Sequence, residues 1–87
     1  MKIVFSDEAW NDYQYWIAND RRILKRINLL IKEIRRDPFS GLGKPESLKH
    51  NLSSYWSRRI TEEHRIVYRV SGDELMIAQL RYHYKSE

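Results

Sequence analysis

The sequence predicts an α+β fold in the order β-α-α-β-β-β, with two N-terminal helices packed on a small, mainly antiparallel sheet. Three observations predict it. Ile23, Ile27, Leu30, Ile31 and Ile34 recur at the spacing of one helix face. Residues 64–70 alternate strictly, with Ile66, Tyr68 and Val70 on one face and Arg65, Val67 and Arg69 on the other. Leu75 to Leu80 is a nearly continuous apolar run, as expected of a buried central strand, and the turn signal Ser71-Gly72-Asp73 precedes it.

Each element has a local cause. Lys2 to Phe5 is β-branched and aromatic and reads as a short strand. Ser6 offers an N-cap, and Asp7 and Glu8 place negative charge in the first turn, where the helix dipole favours it. Trp10, Tyr13 and Ile17, with Trp16 alongside, then predict an amphipathic helix over 7–19. Asn19-Asp20 breaks that helix, and Asp20 can cap the next, making an αα-hairpin. The second helix carries Arg22, Lys25, Arg26, Lys32 and Arg36 on its polar face and ends at Asp37-Pro38, because a residue before proline is pushed out of the α region. Pro38, Gly41, Gly43 and Pro45 mark residues 38–53 as an irregular loop, and long loops in compact domains are often functional. Tyr55 to Ile60 alternates as a strand, and Glu62-Glu63 makes a turn into residues 64–70.

Composition narrows the class. The 87 residues make one domain, 1–87, with a small core. There is no cysteine, so neither disulfide nor thiolate chemistry is available. No secretory pattern opens the chain and no apolar run approaches the ~20 residues of a membrane span, so a soluble, cytoplasmic protein is expected, with no membrane partner. The net charge is +4. Residues 1–20 hold Lys2 against Asp7, Glu8, Asp12 and Asp20, a net of −3, and the remaining 15 bases against 8 acids give +7. The basic part would attract an anionic polymer or an acidic protein.

The sheet's polar face should present arginines from neighbouring strands, Arg58 or Arg59 beside Arg65 and Arg69. Such a face repels itself unless an anion sits there, and the guanidinium fork suits phosphate. The loop at 44–50 and the charged, aromatic end Arg81-Tyr82-His83-Tyr84 can border it, adding Glu46, Lys49 and His83. Internal transesterification of RNA needs a base for the 2′-OH, an acid for the leaving 5′-oxygen and cations for the phosphorane. Glu46 or His83 can be the base, His83 the acid, and Arg65, Lys49 and Arg59 the cations, with no cofactor required. Taken singly, these residues read blandly. A loop glutamate is usually a solvated charge, a terminal histidine is often frayed, and Arg65 can pair with Glu62, Glu63 or Asp73 for at most ~1 kcal/mol. His50 and His64 read as structural or solvent-facing. Glu46 and His50 lack a third metal ligand at recognisable spacing.

The segments 41–46 (GLGKPE), 48–52 (LKHNL), 56–65 (WSRRITEEHR), Val67-Tyr68 and 81–84 (RYHY), with Trp10, Tyr13 and Tyr15-Trp16 near the start, resemble the YoeB/Txe toxins of the RelE superfamily over essentially the whole chain. The resemblance implies a RelE-like fold and a bacterial type II toxin that enters the A site of the 70S ribosome and cuts mRNA. It implies Glu46 as general base, Arg65 as charge stabiliser, His83 as general acid and Tyr84 as a phosphate-positioning residue. Lys49 and Arg59 match supporting basic positions, and Lys44 and Arg81 are further candidates for phosphate contact. It also implies a homodimer and a cognate YefM/Axe-like antitoxin, which should be acidic and cover the arginine face. The chain carries Lys85, Ser86 and Glu87 beyond the tyrosine at which the family usually ends. The competing reading is a non-catalytic binding module like the ParE relatives, which share the fold and poison a topoisomerase without cutting RNA.

Overall fold

The structure, a computed structural model, describes residues 1–83. The elements run β1 (Lys2–Phe5), α1 (Asp7–Asn19), α2 (Arg21–Arg36), β2 (Glu46–Ser47), a 3-10 turn (His50–Leu52), β3 (Trp56–Arg59), β4 (Arg65–Ser71) and β5 (Glu74–Gln79). The five strands form one sheet in the order β1-β5-β4-β3-β2. β1 joins the edge of β5 in parallel, with Ile3 opposite Leu75 and Phe5 opposite Ile77, and the other pairs are antiparallel.

The caps form as their chemistry dictates. The Ser6 Oγ accepts from the Ala9 amide at 3.0 Å and donates to the Ala78 carbonyl at 2.8 Å, so the residue that starts α1 also ties it to β5. Asp20 ends one helix and starts the next. Its amide donates to Trp16 O at 3.0 Å, and its carboxylate accepts from the Arg22 and Ile23 amides. α2 buries Ile27, Leu30, Ile31 and Ile34, as its period predicts. α1 differs from expectation. Its inward stripe is Ala9, Tyr13 and Trp16, while Trp10 and Ile17 remain 51% and 47% exposed. Small Ala9 lets the helix approach the sheet, and Trp10 lies at the border, edge-on to Phe5 with ring centroids 5.8 Å apart.

Residues 38–53 are less irregular than their glycines and prolines suggest. Glu46 and Ser47 pair with Ser57 and Trp56, so the loop adds an edge strand. β5 contains an irregularity: Val67 pairs with Gln79 and Tyr68 with Ile77, leaving Ala78 as an extra residue. Side chains alternate in a strand, so without this bulge Gln79 would share the core face of Ile77. With it, Gln79 shares the opposite face with Val67, and Leu80 returns to the core.

The helices cover the sheet face of Ile66, Tyr68, Leu75 and Ile77. The opposite face is only in part the open arginine surface expected from alternation: it carries Arg59 opposite Arg65, but its other end is covered. Val67 is buried there, and Leu52 and Tyr55 from the preceding loop lie beside it. Arg69 rests 5.5 Å from the Tyr55 ring centroid. Arg58 is on the core side and fully buried, with Nε donating to Tyr68 Oη at 3.1 Å and the terminal nitrogens to the carbonyls of Asp37, Ser40 and Leu42. Four acceptors satisfy a charge that burial would otherwise penalise heavily. Among the described residues no helix is long and apolar enough to cross a membrane.

Candidate active site

Glu46, Ser57, Arg59 and Arg65 come to one side of the sheet by strand geometry. Glu46 is opposite Ser57, and Arg59 is opposite Arg65. Ser57 and Arg59 are two residues apart on β3 and therefore face the same way. β2 and β4 flank β3 at about 5 Å each, so the carboxylate and the guanidinium of Arg65 start from either side of a trough about one nucleotide wide. The trough opens into a cleft of about 510 Å³ lined by Lys44, Pro45, Glu46, Ser57, Arg59, Arg65 and His83.

The Lys44-Pro45-Glu46 wall depends on Gly43. Its φ of +88° is unfavourable for side-chain-bearing residues, and a Cβ there would lie 2.9 Å from Leu30 Cδ2 and 3.1 Å from Arg58 Cβ. This close approach lets the Gly43 carbonyl accept from the Arg59 amide at 2.7 Å, which docks the loop on β3.

His83 arrives from the other end of the chain. Leu80 is fastened twice, its amide to Asp12 Oδ2 at 2.9 Å and its carbonyl to Trp16 Nε1 at 2.9 Å. Burial pushes the Asp12 carboxyl above its usual pKa, opposed by the Leu80 amide and by Arg81. At Tyr82 the chain turns with a φ of +62°, and its carbonyl accepts from the Arg65 amide at 3.0 Å. Gln79, turned to this face by the bulge, donates to the Arg81 and His83 carbonyls at 3.0 and 3.1 Å. The Arg65 guanidinium is also held: Nη1 donates to the carbonyls of Thr61, Glu62 and His64 at 2.9, 3.2 and 3.3 Å.

Of the residues singled out in the sequence, the cleft brings together Glu46, Arg65, His83, Lys44 and Arg59. Lys49 is exposed just before the 3-10 turn and does not line it. Arg81 does not line it either. Its guanidinium lies 3.5 Å from the Tyr15 ring centroid and 4.9 Å from that of Tyr82, a cation–π packing against α1 and the terminal segment. Tyr84 lies outside the described residues. Sequence reasoning passed over Ser57, which the alternation through Arg59 could have reached, and Gln79, whose orientation depends on a bulge that the nearly continuous apolar run conceals. Among the described residues no three of His, Cys, Asp and Glu gather as a metal site. The cleft is thus a cationic pocket with one carboxylate and one imidazole, suited to a phosphodiester and to proton transfer on either side of it.

Residues 5–84 match the family described as "YoeB-like toxin of bacterial type II toxin-antitoxin system". The chain belongs to this family. It is 64% identical to the toxin YoeB of Escherichia coli K12 over 84 residues, 97% of this chain and all of that protein. The YoeB/ParE toxin from Agrobacterium tumefaciens superposes with a TM-score of 0.94 at 52% identity, covering 97% of this chain and all of that one. Staphylococcus aureus YoeB has been solved as a dimer and in complex with YefM, with TM-scores of 0.90 and 0.89 at 48% and 47% identity, each covering 97% of this chain and 98% of the other. The YoeB-type toxin fold is therefore present with its two helices and mixed sheet intact.

Proposed function

We propose that this YoeB-family toxin is a ribosome-dependent endoribonuclease that cuts mRNA in the A site without a metal or cofactor. One observation carries the reading: Glu46, Arg65 and His83, distant in sequence, line a single cationic cleft. Glu46 takes the proton from the ribose 2′-OH. The freed oxygen attacks the adjacent phosphorus, and Arg65, with Arg59 and Lys44 nearby, stabilises the charge that develops on the phosphoryl oxygens. The bond from phosphorus to the 5′-oxygen breaks, and His83 delivers a proton to that oxygen. The products are a 2′,3′-cyclic phosphate and a 5′-OH. The protein acts in the cytoplasm, as a homodimer, until a YefM-type antitoxin covers the cationic cleft. The S. aureus relatives, solved as a dimer and bound to YefM, support that partnership.

The ends of the cut message test the chemistry. Fragments from a translation extract should accept phosphate at the 5′ end directly, and should resist ligation at the 3′ end until the cyclic phosphate is removed. Ends of the opposite type would rule out 2′-OH attack. Arrested growth with an uncut message would favour the ParE-like binding module.

A further inference from the structure

His64 lies outside the cleft, yet it touches the segment that delivers His83. Its ring is buried, edge-on to Trp16 with centroids 4.9 Å apart and tilted against Tyr82 at 5.4 Å. Its Nδ1 accepts from the Tyr82 amide at 2.8 Å. A backbone N–H is an obligatory donor, so Nδ1 is the unprotonated nitrogen and the ring proton is on Nε2. Glu63 Oε1 lies 3.7 Å from that Nε2. The next residue, the first of β4, completes the grip, since the Arg65 amide donates to the Tyr82 carbonyl at 3.0 Å. His64 and Arg65 thus hold both polar backbone atoms of one residue, and that residue has a φ of +62°, a conformation a non-glycine residue adopts only when its surroundings impose it. His83 follows it directly.

We infer that His64 is a positioning residue, its Nδ1 fixing the Tyr82 backbone so that His83 faces Arg65 across the cleft. The inference rests on the nuclease reading for its consequence, though not for its geometry. Packing alone is the competing explanation, because the ring fills space between Trp16 and Tyr82. Two variants separate them. His64→Asn keeps an acceptor near the place of Nδ1 and loses the ring. His64→Phe keeps the ring and leaves the Tyr82 amide without its acceptor.

The test is single-turnover cleavage of a translated message, read as the maximal rate and as the half-saturating ribosome concentration. Misplacing a catalytic group by about 1 Å can lower a rate ~10²-fold. His64→Phe should therefore lower the maximal rate by ~10–10²-fold with little change in half-saturation, while His64→Asn retains more of the rate. Phe matching or exceeding Asn would overturn the inference in favour of packing. Nitrogen-15 correlation spectra of the wild-type imidazole supply a readout that needs neither variant nor activity. A proton on Nε2 and slow exchange of the Tyr82 amide are expected, and a proton on Nδ1 would overturn the clasp. A wild-type protein that leaves RNA intact while showing the expected tautomer would sink the nuclease reading alone.

Discussion

Arg59 and Arg65 stand directly opposite each other across β3 and β4, and both line the cleft. Like charges at opposed ladder positions are unfavourable. Local contacts offset part of this, with Arg59 Nη1 lying 3.9 Å from Glu62 Oε1 and Arg65 bonded to three carbonyls. A bound phosphodiester would relieve the remainder. Arg59→Gln should therefore raise stability slightly, by ~0.2–1 kcal/mol at low salt, while weakening RNA binding and reducing its log–log salt slope by about 0.7. Urea unfolding and binding titrations over a salt series measure both. Loss of stability together with an unchanged salt slope would show that Arg59 serves only its Glu62 pair.

Arg58 is a structural residue. Replacing it with Leu leaves the carbonyls of Asp37, Ser40 and Leu42 and the Tyr68 hydroxyl without their donor. The expected loss is ~3–5 kcal/mol, because several acceptors lose their partner at once and each such loss costs ~1–3 kcal/mol when the group is buried. Tyr68→Phe, which removes the 2.6 Å bond to the Pro38 carbonyl, should cost less, about 1–3 kcal/mol. Midpoints of urea unfolding give both values, and a near-neutral Arg58→Leu would refute the role of strut.

Gly43→Ala tests whether the Lys44–Glu46 wall needs its close approach. The new methyl would meet Leu30 and the Arg58 side chain on a backbone with φ of +88°. A loss of ~1–3 kcal/mol is expected, with reduced cleavage as Glu46 shifts. A variant with wild-type stability and cleavage would show that the loop can move aside freely.

Two carboxyls should respond to pH with opposite signs. Burial raises the Asp12 pKa from 3.8, so between that value and the higher folded one the folded form holds a proton that the unfolded chain has released. Its contribution favours the fold below 3.8 and is lost as pH rises through the higher folded value. The Ser40 hydroxyl and Phe39 amide lower the Asp37 pKa from 3.8, so its contribution is present above that value and is lost as pH falls through the folded one. Asp12→Asn should gain on the wild type as pH rises from ~4 to 7, and Asp37→Asn should fall behind it as pH rises from ~3 to 5. Melting temperatures across that range decide it; parallel curves would contradict both assignments.

The helices were legible because their signals are local: Ser6 and Asp20 cap, Pro38 stops, and α2 repeats its apolar face. The strands of the meander were legible from alternation. What failed depends on partners far along the chain. The pairing of Glu46 and Ser47 needs β3, and Arg58 turns inward because residues 37–42 supply acceptors. The bulge at Ala78 leaves no mark in the nearly continuous apolar run of residues 75–80. The proximity of Glu46, Arg65 and His83 does not follow from spacing; alternation in the meander and the resemblance to a toxin family only suggest it, and the fold brings the three to one cleft.

Primer extension on a message translated in vitro bears most directly on the central claim. The wild-type toxin should create new 5′ ends within codons, only while ribosomes translate, and Glu46→Gln or His83→Gln should slow their appearance by ~10²–10⁴-fold. Cleavage by both variants at the wild-type rate would contradict the account.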